Sequence, residues 1–118
     1  MHNPIKYPNY EENGKNILTL DANNILIYLY KIYVYKKENK ELNYHLMDTM
    51  NELCNPLNLD ETEIFNAITE LKQQGLVIAY CENNQFFLIS LTPKAIAYYE
   101  HSVGREVRKL MQNIIQFL

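Results

Sequence analysis

Four near-copies of one six-residue phrase run through the 118-residue chain: LDANNI at Leu20, LNYHLM at Leu42, LDETEI at Leu59 and LTPKAI at Leu91. In each, a leucine precedes Asp, Asn or Thr, and an apolar residue stands four positions beyond the polar one. This pattern marks a helix start. The polar side chain accepts a hydrogen bond from backbone N–H groups that lack intrahelical partners, and the flanking apolar pair closes as a hydrophobic staple. The expected pairs are Leu20–Ile25, Leu42–Met47, Leu59–Ile64 and Leu91–Ile96. Glu63 completes a capping box with Asp60, and Pro93 takes the first helical position, where a missing N–H is harmless. So short a chain with these starts is one mainly helical domain around a single core.

Between the starts, the spacing predicts a first helix from Asp21 to about Lys37. It is apolar on nearly every side, as suits a helix covered by its neighbours. A second helix is predicted from Tyr44 to about Cys54, stopped by Pro56, and a third from Glu61 to Gln74, terminated by Gly75. Two β-rich runs follow, 76–81 and 85–91, joined by Glu82, Asn83 and Asn84; Asn tolerates the positive φ of a tight hairpin. A fourth helix opens at Thr92–Pro93 and continues to Leu118, with Ser102–Gly104 as its weak point. The first 19 residues, carrying Pro4, Pro8 and Gly14, read as an irregular arm with a short strand near Ile17–Leu20. The expected fold class is mainly α with a small β-hairpin (α+β). It divides into an arm over 1–19, a domain over 20–101 and a C-terminal helix over 102–118.

That order of elements resembles the winged helix-turn-helix family, and so does the stretch LDETEIFNAITELKQQGLVIAYCENNQFFLISLTPKAIAYYE. A third helix ending in a Leu-x-x-x-Gly-Leu turn, a hairpin wing and a Leu-Thr-Pro-Lys opening of the next helix carry the likeness. Ala95 stands where the last motif usually has Gly. The resemblance covers roughly residues 21–101. It is nearest to small YjcQ-like proteins of Gram-positive bacteria and their phages, and looser to PadR- and MarR-type regulators. It implies a DNA-binding transcriptional regulator that places its third helix in the DNA major groove and its wing on the backbone. A cytoplasmic location is expected from the two unpaired cysteines and the lack of a signal-peptide pattern. The staple register turns Thr62, Glu63, Asn66, Thr69, Glu70 and Gln73 outward. Asn66 and Gln73 carry amide edges that pair with adenine, while Thr62 and Thr69 suit a phosphate or a thymine methyl.

Charge pulls the other way. The net charge is −3, and residues 43–75 hold six acids against Lys72 alone. A DNA-binding module typically engages about 6–10 phosphates with Lys or Arg. Here the candidate phosphate partners lie outside the third helix: Lys36, Lys37, Lys40 and Lys94, then Arg105, Arg108 and Lys109. A second reading therefore stands beside the first: a protein-interaction module whose acidic second and third helices dock on a basic partner.

Val103, Val107, Leu110, Ile114 and Phe117 recur in steps of four and three, the spacing of a coiled-coil seam. They are the candidate contacts of a homodimer, or else pack on the chain's own first helix. Tyr28, Tyr30, Tyr33 and Tyr35 surround the first helix, so they are divided between core and surface, where stacked bases or a small ligand are further readings. No cofactor, metal or catalytic group is expected. His2, His45 and His101 lack ligand neighbours at zinc spacing, Cys54 and Cys81 form no CxxC pair, and no Gly-rich loop exists. The longest apolar run, Ile25–Tyr35, is too short for a bilayer.

Overall fold

The computed structural model describes residues 7–42 and 46–102. A two-stranded ribbon, β1 (Glu11–Glu12) and β2 (Lys15–Asn16), turns through Asn13 and Gly14, both at positive φ. Helix α1 (Leu20–Glu38) follows, then strand β3 (Leu46–Thr49), a 3-10 turn (Met50–Leu53) and the short helix α2 (Cys54–Leu57). Helix α3 (Glu61–Gln73) leads into the hairpin of β4 (Val77–Glu82) and β5 (Gln85–Leu91). The last helix among the described residues, α4, begins at 93 and is described to 102. The larger sheet is antiparallel in the order β3-β5-β4.

The third and fourth phrases behave as expected. Asp60 accepts from the Glu63 N–H at 2.8 Å and the Glu63 carboxylate accepts from the Asp60 N–H at 3.1 Å, a complete capping box. Thr92 accepts from the Ala95 N–H at 3.4 Å, and its hydroxyl donates to the Gly75 carbonyl at 2.7 Å, fastening the start of α4 to the end of α3. Ile64 and Leu91 are buried, with Leu59 and Ile96 packed against the same core. Gly75 terminates α3 at φ +72 with open space around it, so the need there is conformational.

The first two phrases behave differently. Helix α1 starts one residue early, with Thr19 as its cap accepting from the Ala22 N–H, and Leu20 lies 70% exposed. The Leu20–Ile25 staple is thus absent. At LNYHLM the predicted second helix gives way to β3, whose Met47 pairs with Ile89 while Leu42 is 93% exposed. The predicted starting residue Tyr44 lies outside the described residues. The physical reason is non-local: the edge of β5 offers backbone hydrogen bonds to 46–49, and a short apolar run serves strand or helix equally well. Pro56 does not stop α2. It sits in its first turn, where no N–H is needed, and Asn58 ends the helix at φ 53. The arm's strands likewise fall at 11–16 rather than near Ile17–Leu20.

The core lies between α1, α3 and the inner face of the sheet. Ile25, Leu26, Ile64, Ile68, Leu71 and Leu76 are wholly buried, each contributing on the order of 1.5–3 kcal/mol. From the arm, Tyr10 and Leu18 are buried and Tyr7 and Ile17 pack against the core. The Tyr10 N–H donates to the Asn23 side chain at 2.9 Å, and the Tyr98 hydroxyl donates to the Asn9 carbonyl at 2.8 Å. Rings of Tyr7, Tyr10, Tyr30, Tyr33, Tyr98 and Tyr99 form a continuous cluster with centroid spacings of 4.6 to 5.9 Å. A helix–strand–helix–helix–hairpin order closed by a three-stranded sheet is a winged helix-turn-helix fold, with β3 as the strand that sequence reading overlooked.

Candidate nucleic-acid interface

Helix α3 is amphipathic. Ile64, Ala67, Ile68 and Leu71 face the core, which leaves Thr62, Asn66 and Gln73 exposed on the opposite side. Residues four and seven apart share one helix face, so these three line a single uncharged row. Thr69 belongs to the row by spacing but is half-buried, and its hydroxyl donates to the Phe65 carbonyl at 2.8 Å. That hydroxyl is engaged by its own helix.

The acids that crowd the sequence here are organised. Asp60 and Glu63 cap α3. Glu70 crosses to the start of α1, accepting from the Thr19 N–H at 2.7 Å and from its hydroxyl at 2.8 Å. Glu70 thus serves as a second cap for α1. Three of the four acids on or just before α3 therefore hold backbone donors; spacing alone revealed the Asp60–Glu63 box but not the reach of Glu70 to Thr19.

On its other flank α3 meets the wing. Asn83 and Asn84 form the hairpin turn at φ 52 and 60, the left-handed pair that a two-residue turn requires. Phe65 of α3 stacks on Phe86 of β5 at 4.9 Å, and the Lys72 ammonium lies 5.5 Å over the Phe86 ring. An open groove of about 330 Å³ runs between them, with Thr62, Asn83, Asn84 and Gln85 on its walls. The wing's three polar residues were not among the candidates, although the Asn-Asn turn that places them was.

The candidate cations are dispersed. Lys36 donates to the Leu46 carbonyl at 3.2 Å and Lys37 lies 5.7 Å over the Tyr33 ring. Both sit near the end of the sheet opposite the wing turn, since Leu46 pairs with Ser90. Lys40 is exposed just past α1, at φ 55. Lys94 pairs with Glu12 at 2.7 Å and donates to the Gln74 carbonyl at 3.3 Å, tying the arm to the end of α3. Its hydrogen bond to Glu12 raises the Lys94 pKa, and the same bond, aided by the Tyr10 hydroxyl, lowers that of Glu12. Val103, Val107, Leu110, Ile114 and Phe117 lie outside the described residues.

Burial pushes Tyr30 up to about 12, with Glu100 adding to the shift, and burial raises Tyr99 further. Both stay protonated at neutral pH and act as packing groups. Tyr35, by contrast, is exposed. Among the described residues no cluster of His, Cys, Asp and Glu is arranged to hold a metal, and no helix is long and apolar enough to cross a membrane.

The geometry defines a winged-helix module with its third helix and wing open on one side. Solved structures agree at the level of fold. MepR, a transcription regulator of the Staphylococcus aureus multidrug efflux pump MepA, superposes with a TM-score of 0.54 at 19% identity, over 86% of this chain and 67% of MepR. ZitR of Lactococcus lactis, in a mutant form, gives 0.52 at 18% identity, over 94% of this chain and 68% of ZitR. No protein-family profile and no curated protein matches the chain.

Proposed function

We propose that this chain is a DNA-binding transcription regulator that works as a homodimer in the cytoplasm, with α3 in the major groove and the Asn83–Asn84 turn along the backbone. The observation that carries this reading is the uncharged row Thr62, Asn66 and Gln73, free on α3 beside a wing pinned by the Phe65–Phe86 stack. The winged-helix likeness to two solved proteins, MepR among them, supports it. So does the employment of Asp60, Glu63 and Glu70 as caps, which gives these acids a place in the fold that needs no basic partner. Within the superfamily we propose small YjcQ-like proteins of bacteria and phages as kin, on the strength of the 59–100 stretch. Lys36 and Lys37 lie at the end of the sheet away from the wing turn, so Lys40 is the one of the three lysines left to flank the duplex, in a dimer paired through Val103, Val107, Leu110, Ile114 and Phe117.

Titration with random duplex DNA at about 50 and 200 mM salt tests the reading, because phosphate contacts weaken steeply over that range. Binding at the lower salt that falls off at the higher supports it. No binding at either salt overturns it. Light scattering tests the pairing. A constant mass near the 14.0 kDa of one chain at all micromolar concentrations removes the dimer.

A further inference from the structure

We infer that α3 reads A·T base pairs, with Asn66 and Gln73 as the specificity-determining residues. This deepens the regulator reading and rests on it. Three observations converge. First, the row facing away from the core carries Thr62, Asn66 and Gln73 and no guanidinium or ammonium group. Arg and Lys are the usual readers of guanine, whereas Asn and Gln make paired hydrogen bonds to adenine N6 and N7, and a Thr methyl suits the thymine methyl.

Second, the one cation on α3 is held elsewhere. Lys72 lies over the Phe86 ring on the wing side, 5.5 Å from its centroid, off the row. Third, the row's amides are uncommitted. No hydrogen bond among the described residues occupies the side chains of Asn66 or Gln73, whereas Thr69 is withdrawn by its bond to the Phe65 carbonyl. Acids border the row without entering it. Glu63 and Glu70 lie on the α1 side, sharing a recess with Asn66, and Glu61 lies on the wing side. They disfavour close approach of phosphate, so base edges carry more of the discrimination.

Spacing sharpens the inference. Asn66 and Gln73 are separated along the helix axis by about 10 Å at 1.5 Å per residue. Base pairs rise about 3.4 Å each, so a helix lying along the groove sets the two amides about three pairs apart. The preferred site then holds two adenines at that interval, with thymine favoured near Thr62.

Selection of duplexes from a random library by the full chain at about 50 mM salt, followed by sequencing, tests this. Enriched sites should carry the two adenines. Asn66→Ala should lower the preference at one of them by about 5- to 150-fold, and Asn66→Arg should convert that position to guanine. Asn66 is exposed, so both variants should melt with the unaltered chain, which separates base reading from folding. Enriched sites built of G·C pairs, or a specificity unmoved by Asn66→Arg, overturn the A·T assignment and leave DNA binding standing. Failure to retain any duplex overturns both.

Discussion

Glu70 of α3 holds Thr19 at the head of α1 through two hydrogen bonds, 2.7 Å to its N–H and 2.8 Å to its hydroxyl. The two residues stand 51 positions apart, so the helix carrying the candidate DNA-reading row is moored to the first helix. Thr19 meanwhile caps α1 by accepting from the Ala22 N–H. Thr19→Ala removes the cap and the hydroxyl bond to Glu70 while keeping the N–H bond, and should cost about 1 kcal/mol. A double-mutant cycle with Glu70→Gln, followed by chemical denaturation, should show coupling of about 0.5–1 kcal/mol. Strict additivity would mean that the mooring contributes nothing.

The wing should depend on one ring. Phe86 is nearly buried, stacked on Phe65 and covered by Lys72. Phe86→Ala should destabilise the chain by about 3–5 kcal/mol. In contrast, Tyr80→Ala on the exposed outer face of the same hairpin should stay within about 0.5 kcal/mol. Equal losses at the two positions in urea titrations would show that the stack does not anchor the wing.

Two residues share a positive φ with opposite consequences. Leu88 sits at φ 53 where the β4–β5 register shifts, and its side chain is half exposed. A left-handed leucine costs about 1–2 kcal/mol, so Leu88→Gly should stabilise the protein by about 1 kcal/mol. Gly75 at φ +72 is in the reverse position. Nothing crowds an added Cβ there, yet Gly75→Ala should destabilise by about 1 kcal/mol through conformation alone. Melting temperatures of the two variants should move in opposite directions.

The Glu12–Lys94 pair sets an acid limit. The folded-state pKa of Glu12 is depressed from 4.5, foremost by its hydrogen bond from Lys94. Its contribution is therefore present above pH 4.5 and fades as the pH falls through the lower folded value. The raised Lys94 behaves in mirror fashion, contributing below 10.5 and fading above it. The melting-temperature advantage of the unaltered chain over Glu12→Gln should be full at neutral pH and vanish in acid. An advantage independent of pH would sink this account.

Local chemistry made some elements legible and left others hidden. The α3 capping box, its Gly75 end and the Asn83–Asn84 turn each depend on neighbours within a few residues, and spacing alone placed them. LNYHLM has the letters of a helix start, but the partner that makes 46–49 a strand is β5, some forty positions on. The same holds for the interface. Thr62, Asn66 and Gln73 emerged from helix periodicity. The engagement of Thr69 by Phe65, the crossing of Glu70 to Thr19 and the capture of Lys94 by Glu12 are invisible until the elements pack.

The linked tyrosine rings have a practical consequence. The chain has ten tyrosines, four phenylalanines and no tryptophan, so the long-wavelength part of its near-ultraviolet signal belongs to tyrosine. Tyr10 and Tyr98 join the arm to α4 at 4.6 Å, and Tyr30 joins α1 to the same helix through Tyr99 at 5.1 Å. Aromatic circular dichroism therefore serves as a label-free gauge of whether the N-terminal segment is seated.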